Sequence, residues 1–540
     1  MRNLIRATIF LSIAAAFAQQ PPANPEPPLI LKSTTRLVQI SVIATRKGDP
    51  AEGLKKEDFT VTDNGKVQPL TLFSVESNRG LPATNQPLPP NTFSNRVEQK
   101  SGTPSGITII LFDSLNTRFS DRAFAREQIV KYLKTIQPGE RIGLYALGRG
   151  IRVLHDYTID STELLARLNN YHGGELPNLG QPGPPGMDPD ALQLDAWLSG
   201  RGGMSGAEGD FYTINRVRGT LRSLQFIADH LSRVPGRKNL IWVSGGFPLT
   251  LNYDNINAWS DPRRQQATFT QEITECVRAM NNANLAVYPV DARGLMPPTG
   301  FSAEVSRAPS TRPTAIPRPA PGQNERDAMA ELADRTGGRA YYNTNDLTKA
   351  IRESVNDTRL TYTLGYYPND DKFDGKFHNI KVKVDQSGVS LRYRKGYFDL
   401  PEQPQNDQAR KLELRDAVFS PLDATEIGIT AEVKAAGTKL ELVVHLDPKE
   451  FHLEQQADRW AGKLDFLFVQ KDAKGRQFNG RDDTLELRLT EPRFKSFNQD
   501  GMAYRQIVDR APQATEIRIV VRDAASGAMG SVTVPFTQLR

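Results

Sequence analysis

Residues 107–117 read ITIILFDSLNT, and this stretch decides the fold. An amphipathic strand would alternate apolar with polar residues. A near-continuous apolar run ending at Asp113 suits a strand buried on both faces of a parallel sheet. Similar runs follow at 141–147 (RIGLYAL), 239–243 (NLIWV) and 285–290 (LAVYPV), with shorter strands at 151–154 and 339–342. Helical spacing fills the gaps at 120–135, 161–169, 212–233, 268–282, 325–335 and 347–355. Ser161 is placed to cap the second of these helices. The alternation predicts an α/β doubly wound unit with a mostly parallel sheet over 106–358. Two stretches rich in Gly or Pro, 173–210 and 296–323, read as insertions. In such sheets ligands meet the C-terminal ends of the strands. The loops after Phe112, Leu147, Val243 and Val290 are therefore the functional candidates.

The flanks change period. Residues 37–44 (LVQISVIA) alternate like a strand, and Asp63-Asn64-Gly65-Lys66 is a tight hairpin signal. Period-two strands return at 361–366, 379–384 and 389–394. Neither 29–76 nor 359–400 has enough strands to bury a core alone, and both abut the central unit. We expect 29–76 to pair with 360–400 as one sandwich into which the central domain is inserted. Residues 77–105 and 401–410 read as linkers, and 411–540 as an all-β sandwich.

The chain has 540 residues, a net charge of +6 and one cysteine, Cys276. The basic excess is spread along the chain and forms no phosphate-neutralising arm, so nucleic acid is not an expected partner. The first 18 residues read as a signal peptide: Arg2 and Arg6, an apolar core at 7–15, then Ala16-Phe17-Ala18 for cleavage before Gln19. Residues 19–28 are a Pro-rich linker. The expected product is exported, periplasmic or extracellular, with no transmembrane segment in the mature chain. Cys276 sits on the apolar side of a helix and reads as a buried structural thiol.

Several stretches resemble the von Willebrand factor A domain. Residues 107–117 resemble its first strand and loop, 235–248 (PGRKNLIWVSGGFP) its fourth strand, 283–295 (ANLAVYPVDARGL) its fifth, and 331–351 its last strand and helix. With 53–73 (GLKKEDFTVTDNGKVQPLTLF) and 362–398, they resemble the A-domain-related proteins abundant in Acidobacteria. The resemblance implies partner binding through an Asp-x-Ser-x-Ser loop, a Thr and a second Asp that together hold a metal. Here Asp113 and Thr117 match, Leu115 replaces a serine, and Ser244-Gly245-Gly246 stands where relatives carry Thr-Asp-Gly. Thr213 and Thr220 are both candidates for the second-loop threonine. With one carboxylate instead of two, the resemblance implies a degenerate adhesion site holding Mg²⁺ weakly at best. The other reading of Asp113 is that it orients the loop by accepting backbone N–H bonds.

Ser114, Asn116, Ser244, Asp291 and Arg293 lie on the candidate partner-binding loops; Asp291 and Arg293 also suit an internal ion pair. Six histidines are scattered without a His-Glu-x-x-His pattern, and no Gly-x-Ser-x-Gly elbow occurs. The leading expectation is therefore not an enzyme. It is an exported binding protein meeting an unknown protein or cell-surface ligand. A structural envelope component is the alternative, and a hydrolase the lesser one.

Overall fold

The computed structural model describes residues 37–77, 88–96, 106–137, 140–148, 150–171, 206–232, 234, 236–246, 269–295, 323–368, 375–399, 407–420, 422–473 and 475–539. The expected signal peptide, the expected 19–28 linker and most of the two stretches read as insertions lie outside these residues.

The chain begins in a two-sheet sandwich. Its first strands are β1 (Val38–Arg46), β2 (Asp49–Pro50), β3 (Phe59–Asp63), β4 (Lys66–Gln68) and β5 (Leu72–Ser77). The rest come from far downstream: β12 (Leu360–Tyr366), β13 (Phe377–Val384), β14 (Val389–Arg392) and β15 (Gly396–Phe398). One sheet runs β14-β1-β12-β5, with β2 paired to β1, and the other runs β15-β13-β3-β4. β1 pairs antiparallel with β12, Val38 opposite Tyr366, and β3 with β13, Phe59 opposite Val384. Ile40, Val42, Val61, Tyr362, Leu364 and Ile380 fill the core between the sheets. The Asn64-Gly65 turn has both residues at positive φ, as a tight hairpin of this kind requires.

Between β5 and β12 lies the α/β domain. Its strands are β7 (Ile107–Asp113), β8 (Ile142–Leu147), β9 (Ile151–Thr158), β10 (Lys238–Ser244) and β11 (Leu285–Asp291). Its helices are α1 (Phe119–Leu133), α2 (Ser161–Asn169), α3 (Gly206–Leu231), α4 (Thr270–Asn282), α5 (Gln323–Thr336) and α6 (Leu347–Asn356). The sheet order is β11-β10-β7-β8-β9. All neighbours are parallel except β9, which runs antiparallel to β8. Alternate residues of β7 serve opposite cores. Ile109 and Leu111 pack with residues of α3, α4 and α5, and Ile110 and Phe112 with residues of α1, α2 and α6. Each large apolar side chain buried this way contributes about 1.5–3 kcal/mol.

Several sequence expectations are corrected. The expected 339–342 strand is only a bridge between Tyr341 and Val290. Just before it the chain runs hard against β11: a Cβ on Gly338 would meet the Val287 carbonyl oxygen at 1.8 Å, so only glycine fits there. The N-cap of α2 is Asp160, whose carboxylate accepts from the amides of Thr162 and Glu163, rather than Ser161. Residues 206–210, read as insertion, already belong to α3. Cys276 is buried as expected, and burial pushes its thiol pKa up.

The expected 77–105 linker holds a strand, β6 (Thr92–Ser94), which pairs with β16 (Ile429–Ala436) of the C-terminal unit. Buried Asn95 fixes it there by donating to the carbonyls of Ala424 and Ile427 and accepting from the Ile429 amide. The C-terminal unit is a sandwich. One sheet is β21 (Met502–Asp509)-β17 (Lys439–Leu446)-β16-β6. The other is β18 (Glu454–Gln456)-β19 (Arg459–Lys471)-β22 (Glu516–Asp523)-β23 (Met529–Pro535), with β20 (Gln477–Thr490) also on β19. It is not all-β. Helix α7 (Asp407–Phe419) begins inside the expected 401–410 linker, and Ala417 and Val418 pack on Val469 and Val520. Helix α8 (Glu491–Asp500) follows β20. Among the described residues no helix is long and apolar enough to cross a membrane.

Lys238 opens β10, is buried, and donates to the Val234 carbonyl. Burial pushes its amine down to about 7. The folded value lies below the unfolded one, so folding favours the neutral amine. Stability is greatest above the unfolded pKa and falls as pH drops through 7. We expect Lys238→Met to flatten this dependence and to be about 3 kcal/mol more stable than the parent at pH 6. Urea denaturation at pH 6 and pH 9 checks it; equal pH slopes for the two proteins would contradict it.

Candidate functional site

The parallel strands end together at one edge of the sheet, and the first carboxylate there is Asp113, the last residue of β7. It is fully buried. Its Oδ1 accepts from the amides of Leu115 and Asn116, each at 2.9 Å. Its Oδ2 accepts from Asn116 Nδ2 at 2.8 Å, Trp242 Nε1 at 2.9 Å and Ser244 Oγ at 2.7 Å. Burial pushes the carboxyl pKa up, and the bonds from Asn116, Ser244 and Trp242 pull it back. The loop after β7 is therefore folded over its own aspartate and tied to β10.

The neighbouring side chains extend the same network. Thr117 Oγ1 accepts from the Gly245 amide at 3.1 Å. The two loops approach so closely that a Cβ on Gly245 would lie 2.5 Å from the Asn116 carbonyl oxygen, so only glycine fits. Ser244 Oγ, besides donating to Asp113, accepts from the Gly246 amide at 2.9 Å. Ser114 Oγ donates to the Leu147 carbonyl at the end of β8. Thr220 on α3 accepts from Asn116 Nδ2 at 2.8 Å, and its own hydroxyl donates to the Arg216 carbonyl at 2.9 Å. Of the two candidate threonines, Thr220 is the one brought to Asp113 through Asn116. The side chain of Thr213 lies outside the described residues.

At the end of β11, Asp291 is also buried. Arg293 grips it with Nε at 2.8 Å and Nη2 at 2.9 Å, and Arg326 of α5 approaches at 3.4 Å. The ion pair inside the loop is thus present, with two guanidinium groups on one carboxylate. Sequence reading missed Arg326 and Trp242. The second left a signal: an indole N–H inside an otherwise apolar strand must find an acceptor.

The donor set does not fit a magnesium ion. Mg²⁺ demands near-octahedral oxygens at about 2.0–2.1 Å. Both Asp113 oxygens are engaged by N–H and O–H donors, Thr117 Oγ1 by an amide, and Thr220 Oγ1 by Asn116. Leu115 packs against the apolar core and offers no oxygen from its side chain. Among the described residues no group of three or more His, Cys, Asp or Glu is placed to hold a metal ion.

No protein-family model matches the chain, and no curated protein matches it. Solved structures do. A von Willebrand factor type A protein from Catenulispora acidiphila is 10% identical, with 87% of this chain and 74% of that one covered, at a TM-score of 0.23. The ArnB paralog VWA2 from Sulfolobus acidocaldarius is 10% identical, with 88% and 74% covered, at 0.21. An aerotolerance-related membrane protein from Bacteroides fragilis is 13% identical, with 46% and 98% covered, at 0.26. At these scores the likeness adds nothing to what the strand order shows directly.

Proposed function

We propose that the chain is an exported recognition protein whose central domain, doubly wound and A-like, meets a protein or surface ligand through the loops at the C-terminal edge of its sheet. The observation that carries this is the bracing of that edge. Asp113 joins the loops after β7 and β10, Asn116 adds α3, and Asp291 holds Arg293 and Arg326. Rigid loops present a surface without losing much conformational entropy on binding. Ser114, Asn116, Ser244 and Asp291 are buried and shape that surface from beneath. Leu295, four residues past Asp291 in the loop after β11, is 60% exposed and apolar. The site is read as a degenerate metal-ion-dependent adhesion site. Export rests on the signal-like first 18 residues, and the Acidobacterial type on the stretches quoted from the sequence. No catalytic role is proposed.

The test is affinity capture from the envelope fraction with the parent, Leu295→Glu and a variant lacking 173–205. We expect one defined partner, retained by the parent and lost from at least one variant of unchanged Tm. Identical capture by all three would contradict recognition at this edge and favour a structural envelope role.

A further inference from the structure

The amide of Asn116 sits between two oxygens that both require a donor. The Asp113 carboxylate can only accept. Thr220 gives its hydroxyl proton to the Arg216 carbonyl and must accept as well. Nδ2 lies 2.8 Å from each. The reversed amide would set Oδ1 against both, so the network fixes its orientation. The opposite face of the amide shows what this placement costs. Asn116 Oδ1 is buried and finds no hydrogen-bond partner among the described residues. An asparagine held with one end unsatisfied is held by its other end.

A positively polarised group bridging a carboxylate on β7 and a hydroxyl on α3 does what a bound cation would do there. We propose that the Asn116 amide is a built-in substitute for a cation, so that the crest loops hold their shape without a divalent ion. This goes beyond the recognition reading, and a metal titration needs no partner, so either can fail alone.

The experiment uses the full chain and Mn²⁺, followed by electron paramagnetic resonance and by Tm with and without EDTA. The parent is expected to show no Mn²⁺ binding that Asp113→Asn removes, and a Tm that EDTA does not move. Asn116→Asp places a second carboxylate against Asp113 in the amide's position. It is expected to lose Tm in EDTA and regain it with Mn²⁺. Should that variant not fold, Asn116→Ala vacates the same position without adding charge and is expected to gain a smaller Mn²⁺-dependent rise, because one carboxylate remains. Parent binding that Asp113→Asn abolishes would overturn the proposal. So would variants that fold yet ignore Mn²⁺, because the amide would then not occupy a cation's place.

Discussion

Asp113→Ala is expected to destabilise the central domain by about 3–5 kcal/mol, because several buried donors lose their shared acceptor at about 1–3 kcal/mol each, partly recovered as the loop relaxes. The carboxylate is the common acceptor for two loop amides, the Asn116 amide, the Trp242 indole and the Ser244 hydroxyl. Alanine leaves these donors buried with nothing to meet, and each unsatisfied donor costs about 1–3 kcal/mol before the loop relaxes. Asp113→Asn is expected to fall between the parent and the alanine variant, because its oxygen replaces one acceptor while its NH2 faces donors. Urea denaturation measures both. A loss below about 1 kcal/mol would mean that the aspartate does not organise these loops.

Asp63→Ala should weaken the flanking sandwich by about 3 kcal/mol. Its Oδ2 accepts from the hydroxyls of Tyr366 at 2.8 Å and Tyr397 at 3.0 Å, and its Oδ1 faces His378 Nδ1 at 3.0 Å. Burial pushes both tyrosine pKa values up, so the hydroxyls stay neutral and donate. Asp63 lies on β3, before the central domain; its partners come from β12, β13 and β15, after it. The cluster thus clasps the two chain segments that bracket the insertion. Hydrogen exchange should quicken in β1 and β12 of the variant while β7 keeps its protection. Quickening of β7 to the same degree would show that sandwich and inserted domain unfold as one unit.

How much of this could be read beforehand varied with the physical signal. The runs at β7, β10 and β11 were legible because all seven residues of each strand are buried, which favours a nearly continuous apolar sequence with its polar residues mostly at the strand ends. The hairpin at Asn64-Gly65 was legible because its positive φ values favour those residue types. β6 was not: three residues carry no period, and what holds them is Asn95, whose bonds reach more than 300 positions ahead. The start of α7 was hidden because the helix residues packed in this cluster, Leu414, Ala417 and Val418, all lie in its second half. At the site, Asp113 and Ser244 were found by their place at strand ends, and Thr117 by the resemblance of its loop to the Asp-x-Ser-x-Ser pattern. Asn116 was found only as a loop residue, because nothing in its spacing says that its side chain would turn inward to Thr220.

The most direct measurement is anomalous diffraction at the manganese edge from crystals of the full chain grown in MnCl2. The account predicts no anomalous peak beside the Asp113 carboxylate, with the Asn116 side chain lying between Asp113 and Thr220. A manganese peak bonded to Asp113 and Thr117, with the Asn116 amide swung aside, would contradict it.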